Sequence, residues 1–119
     1  MNTIGVFDQL SWYPKLPEST QRTLQRFLRV QEYRRERQLF YQGDDADTVY
    51  LVLAGQVKNV KWRDAGTSFL LGVSSPGAWL GLPEASVSGT YLSDAETTED
   101  SLLGLLTRSD LGHLGAMPG

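Results

Sequence analysis

The chain contains no cysteine and a single histidine in 119 residues. Without thiols there is no disulfide framework, no thiolate metal site and no iron–sulfur cluster. One histidine, His113, cannot supply the several imidazoles of a cupin-type metal centre. Ser/His/Asp and Cys/His arrangements fail or rest on that same residue, which has no motif around it. Near a chain end it reads as a surface residue rather than a haem ligand. Long apolar runs are also missing. Nothing approaches the roughly 18 consecutive apolar residues of a membrane helix, and the first ten residues lack the basic flank of a signal peptide. The expectation is a cytoplasmic protein that is not an enzyme, has no membrane contact and carries neither metal nor cofactor.

Positive charge is scarce in one half. From Asp64 onward there are seven acidic residues and one basic residue, Arg108, so no lysine or arginine falls between Arg63 and Arg108. Residues 15–37 instead carry seven basic and three acidic side chains. The net charge of −3 and the lack of a recognition-helix pattern argue against direct nucleic-acid binding by this chain. Arg22, Arg26, Arg29, Arg34, Arg35 and Arg37 form a cluster read as a solvated face. It could serve an acidic protein partner, and a homodimer is equally compatible. Glu99 and Asp100, a carboxylate pair at a turn, read as solvated rather than catalytic.

What is present is one domain's worth of ordinary globular sequence, 40% apolar and 21% charged. After a lead-in over residues 1–15, broken by Pro14 and Pro17, Leu24, Phe27 and Leu28 take helical spacing from about Glu18. Ser19 or Thr20 could cap that helix, or Pro17 could occupy its first turn. Past Val30 the texture turns to β. Strands are expected at 39–41, 49–53, 56–63, 67–73, 78–82, 90–97 and 102–107, with turns at 42–45, 64–66 and 75–77. Residues 49–53 are apolar on both parities, as in a strand covered on both faces. Lys58 and Lys61 are expected to point outward. Residues 83–90 read as a loop or one helical turn, and 110–114 as a short helix before the breaker-rich 115–119. The expected fold is mainly β with short flanking helices, and the many short strands fit a sandwich, a barrel or a jelly roll.

The run YQGDDADTVYLVLAGQV at 41–57 closely resembles a signature of cyclic-nucleotide-binding domains. It has a glycine–acid turn, an apolar strand and a second glycine at the next turn. PGAWLG at 76–81 resembles that family's approach to its phosphate-binding cassette, and 95–110 resembles its closing strand and helix. The likeness spans roughly 16–118. It implies a jelly-roll barrel (double-stranded β-helix) that acts as a regulatory, ligand-sensing domain like those of CRP/FNR-type transcription regulators. In those proteins helix-N-terminal amides and one arginine hold the cyclic phosphate, and a glutamate receives the ribose hydroxyl.

Carried over residue by residue, Gly81 matches the cassette glycine. Leu82 stands at the glutamate position, and Ser93, two before the small residue Ala95, stands at the arginine position. The resemblance therefore implies a degenerate cassette that admits a cyclic nucleotide but disfavours tight cAMP or cGMP binding. An unknown small-molecule ligand is the favoured occupant. The candidate ligand-binding residues are Trp79, Gly81, Leu82, Pro83, Glu84, Ala85, Tyr91, Ser93, Asp94 and Ala95. Trp79 and Tyr91 would be apolar walls, Glu84 a late substitute for the glutamate, and Asp94 a further repulsion. The alternative is a protein-interaction module with a vestigial pocket. Family regulators continue into a dimerisation helix and a helix-turn-helix domain, which these 119 residues do not include. A single-domain relative and a piece of a longer regulator are both compatible with that.

Overall fold

A computed structural model describes residues 7–114, and the expectations for 1–6 and 115–119 lie outside it. A 3-10 turn, Tyr13–Lys15, leads to helix α1, Glu18–Phe27. Pro17 rather than Ser19 or Thr20 occupies the N-cap, with no side-chain cap. Its carbonyl instead accepts the amides of Thr20 and Gln21 at 3.0 and 3.1 Å. A proline there sacrifices no donor, because the first helical amides lack partners in any case. Leu24 is buried on one face of α1, and Leu28 is buried just past its end.

Eight strands follow: β1 Arg29–Tyr33, β2 Gln38–Phe40, β3 Thr48–Ala54, β4 Val57–Asp64, β5 Thr67–Ser74, β6 Trp79–Leu80, β7 Asp94–Thr97 and β8 Ser101–Thr107. Helix α2, Leu82–Ser86, lies between β6 and β7, and α3, Arg108–Leu114, ends the described chain. The strands form two four-stranded antiparallel sheets, ordered β1-β8-β3-β6 and β2-β7-β4-β5. This is the expected jelly roll. The 78–82 and 90–97 strands are shorter than expected. Leu82 turns into α2, while Thr90 makes only an isolated bridge to Asp45 and β7 begins at Asp94.

The first sheet carries the core. Val49 through Leu53 of β3 and Leu102, Leu103, Leu105 and Leu106 of β8 are buried. Each such side chain contributes roughly 1.5–3 kcal/mol on burial. Both parities are apolar because the first sheet is covered on both faces. One face meets the second sheet, and the other meets α1, α3 and the lead-in residues Phe7, Leu10 and Tyr13. Gly104 makes this packing possible, since a Cβ there would lie 2.5 Å from Leu28 Cδ2. The second sheet is more open. Its β4–β5 hairpin leaves Trp62, Phe69, Leu70, Leu71 and Val73 exposed.

Candidate functional site

The candidate cassette begins where β6 ends. Gly81 takes φ +78°, a left-handed conformation that glycine adopts without strain. It turns the chain into α2, where Pro83 sits in the first turn and Ala85 is buried. The helix returns through Gly89, whose carbonyl accepts the Ala46 amide at 3.0 Å, and the Tyr91 amide donates to Asp44 at 2.9 Å. Thus the loop closes against the glycine–acid turn at 43–46. Arg108 clamps the same turn through Asp45 Oδ1 at 2.8 Å and the Ala46 carbonyl at 2.9 Å. The one basic residue of the acidic half is thereby engaged.

Tyr91 fills the space beneath Gly81. Its ring stacks on Phe40 with centroids 3.7 Å apart, and its hydroxyl donates to the Thr48 carbonyl at 2.6 Å. Burial pushes this phenol's pKa above the ordinary value, although the Thr48 amide, which donates to the phenol oxygen at 3.2 Å, pulls the other way. Trp79 faces elsewhere and stacks on Trp12 of the lead-in at 5.8 Å. Leu82 and Pro83 bring no polar side-chain atom to the cassette. Glu84 is half-buried, and its carboxylate accepts the Leu92 amide at 3.4 Å.

Beyond Leu92 the side chains alternate across the second sheet. Ser93, Ala95 and Thr97 are buried on the inner face. Ser93, 5% exposed, accepts a hydrogen bond from Asn59 Nδ2 at 3.0 Å. Asp94 takes the opposite face. Its Oδ1 accepts the Gln42 amide at 2.8 Å and its Oδ2 the Trp62 indole at 2.9 Å. Asp94 is therefore a structural acceptor between turn and hairpin, not a charge aimed into the cassette.

The same alternation corrects the expectation for the two β4 lysines. Residues 58 and 61 are an odd number apart, so a regular strand sends them to opposite faces. Lys58 lies outward, 3.8 Å from Glu96. Lys61 shares the inner row with Val57 and Asn59, and its ammonium donates to the Leu92 carbonyl at 3.2 Å. The signal was present in the sequence as the parity of 57, 59 and 61. His113 is exposed and stacks on Phe27, with centroids 4.8 Å apart. Among the described residues no three His, Cys, Asp or Glu side chains converge to hold a metal.

Two facing antiparallel sheets with a glycine-started helical turn between β6 and β7 define a jelly-roll domain. The cyclic nucleotide-binding domain family matches residues 30–116, and the chain belongs to that family. Patatin-like phospholipase domain-containing protein 6 of Mus musculus and Homo sapiens is 32% identical over 78 residues, which are 66% of this chain and 6% of that protein. The chain thus corresponds to a small fraction of those relatives' length. The catabolite activator protein of Thermus thermophilus superposes with a TM-score of 0.77 at 27% identity, covering 87% of this chain and 48% of that one. The regulatory domain of Toxoplasma gondii PKA with cAMP gives 0.78 at 18% identity, covering 92% and 41%, a likeness of fold alone. The chain is a regulatory domain related to the CRP-type regulators.

Proposed function

We propose that this domain senses a small molecule other than cAMP or cGMP, retaining the family's cassette backbone without its nucleotide contacts. The observation that carries the reading is the buried Ser93–Asn59 hydrogen bond at the position where the family resemblance calls for an arginine. A bidentate guanidinium–phosphate pair is among the stronger recognition contacts. A neutral hydroxyl, with one donor and no charge, is no equivalent of that pair. Leu82 reinforces this at the glutamate position, because a sugar hydroxyl placed against it would be desolvated without a partner. Glu84 lies two positions late, and its Oε2 accepts the Leu92 amide at 3.4 Å.

Thermal melts with each nucleotide at about 1 mM test the proposal. A ligand present at 100 times its Kd would add about 2.7 kcal/mol of stability. The expected result is an unchanged midpoint with both nucleotides. A rise of several degrees with either one would refute the reading.

A further inference from the structure

We infer that Lys61 supplies the positive charge of the candidate site from β4, and that the ligand is an organic monoanion, a carboxylate or sulfonate, with an apolar body. The inference rests on the proposed sensor reading and names the chemistry that the same site would recognise.

The geometry comes from one row of side chains. β4 pairs with β7 from Val57↔Thr97 through Val60↔Asp94, so continuing the register sets Lys61 beside Ser93. The ammonium lies 3.2 Å from the carbonyl oxygen of Leu92, the residue just before Ser93. That carbonyl accepts one of its three hydrogens, and among the described residues Lys61 makes no ion pair. Glu84 accepts the amide of the same residue at 3.4 Å and makes no ion pair with Lys61. A second cation stands close by, because the Arg63 guanidinium lies over the Phe69 ring at 5.4 Å, and Phe69 is the cross-strand partner of Lys61. Two cations so placed form a positive rim that attracts anions.

The surroundings select the rest of the ligand. Phe69, the cross-strand partner of Lys61, is a large apolar side chain left exposed, and Leu82 offers no acceptor for a sugar hydroxyl. Lysine is a point charge rather than a planar fork, which suits a single anionic group better than bidentate phosphate recognition.

Fluorescence titration with 8-anilinonaphthalene-1-sulfonate, a monoanion with an aromatic body, tests the assignment on the whole chain. Saturable binding is expected, weakened about tenfold or more by Lys61→Met and largely kept by Lys61→Arg. Lys58→Met, on the opposite face, should leave it unchanged. Circular dichroism and melting curves verify that each variant is folded. Equal affinity in Lys61→Met and the parent, an equal loss in Lys58→Met, or no saturable binding to the parent would overturn the inference. A cAMP arm separates the two readings. If cAMP displaces the probe and the displacement needs Lys61, the cation assignment stands while the exclusion of cyclic nucleotides fails. If cAMP is inert and the probe ignores Lys61, the reverse holds.

Discussion

The hydroxyl of Tyr91 engages both backbone groups of Thr48, donating to its carbonyl at 2.6 Å and accepting its amide at 3.2 Å. Thr48 opens β3, and Tyr91 ends the loop that leaves α2. One phenol therefore ties the cassette to the core strand. Tyr91→Phe keeps the ring stack on Phe40 but removes both bonds. We expect a loss of roughly 1–3 kcal/mol, the usual cost of stranding part-buried polar groups, measurable by urea unfolding. An unchanged unfolding midpoint would show that the tie is not structural.

Gly81 depends on the same ring. A Cβ at position 81 would lie 2.8 Å from Tyr91 Cε1, and the backbone there has φ +78°. Left-handed backbone costs a non-glycine residue roughly 1–2 kcal/mol, and overpacking adds about 1–3 kcal/mol. Gly81→Ala should destabilise by about 2–5 kcal/mol on those two counts. Adding Tyr91→Leu should return only the packing part, because the backbone strain remains. A double-mutant cycle with no coupling would contradict the proposed contact.

Alkaline pH should weaken the fold through buried phenols. Burial raises the pKa of Tyr50 and Tyr91 above the ordinary 10.0, with the nearby Asp47 adding to both shifts. A group whose folded pKa is raised keeps its full contribution below the unfolded value. That contribution is lost as pH climbs from about 10 toward the folded value, since the unfolded chain releases the proton first. Melting midpoints should therefore fall as pH rises above about 10, and Tyr50→Phe should fall less steeply than the parent over that range. Parallel curves for the two proteins would refute the assignment to Tyr50.

Asp94 should behave as a structural acceptor. Asp94→Ala frees the Trp62 indole and the Gln42 amide, which hold the β4–β5 hairpin to the 41–45 turn. The expected outcome is altered tryptophan emission and faster amide exchange at the hairpin, with the core of β3 and β8 still protected. Unchanged exchange in the hairpin would contradict this role.

The architecture could be read from the chain because its strongest signals are local. The apolar run at 49–53 and the glycine turns at Gly43 and Gly55 delimit β3, and Asp64, Ala65 and Gly66 mark the β4–β5 hairpin. The start at Glu18 was legible too, but not the cap, since the Pro17 carbonyl does what a Ser or Thr side chain was expected to do. β1 escaped delimitation because Arg29, Gln31 and Glu32 are exposed and leave little apolar alternation. At the site, the linear chain showed that no basic residue follows Arg63 for over forty positions. It did not show that pairing of β4 with β7 brings Lys61 beside Leu92. Adjacency across a sheet is set by register, and register depends on the whole core. Asp94 followed the same logic, since one step along β7 separates the inner face from the outer.

The most direct test of the account restores the missing contacts. Calorimetric titration with cAMP should give no measurable heat for the parent domain, while the Leu82→Glu, Ser93→Arg double variant, confirmed as folded, should bind. Micromolar binding by the parent, or no difference between the two proteins, would contradict the claim that this cassette keeps its backbone but lacks the family's charged clamp.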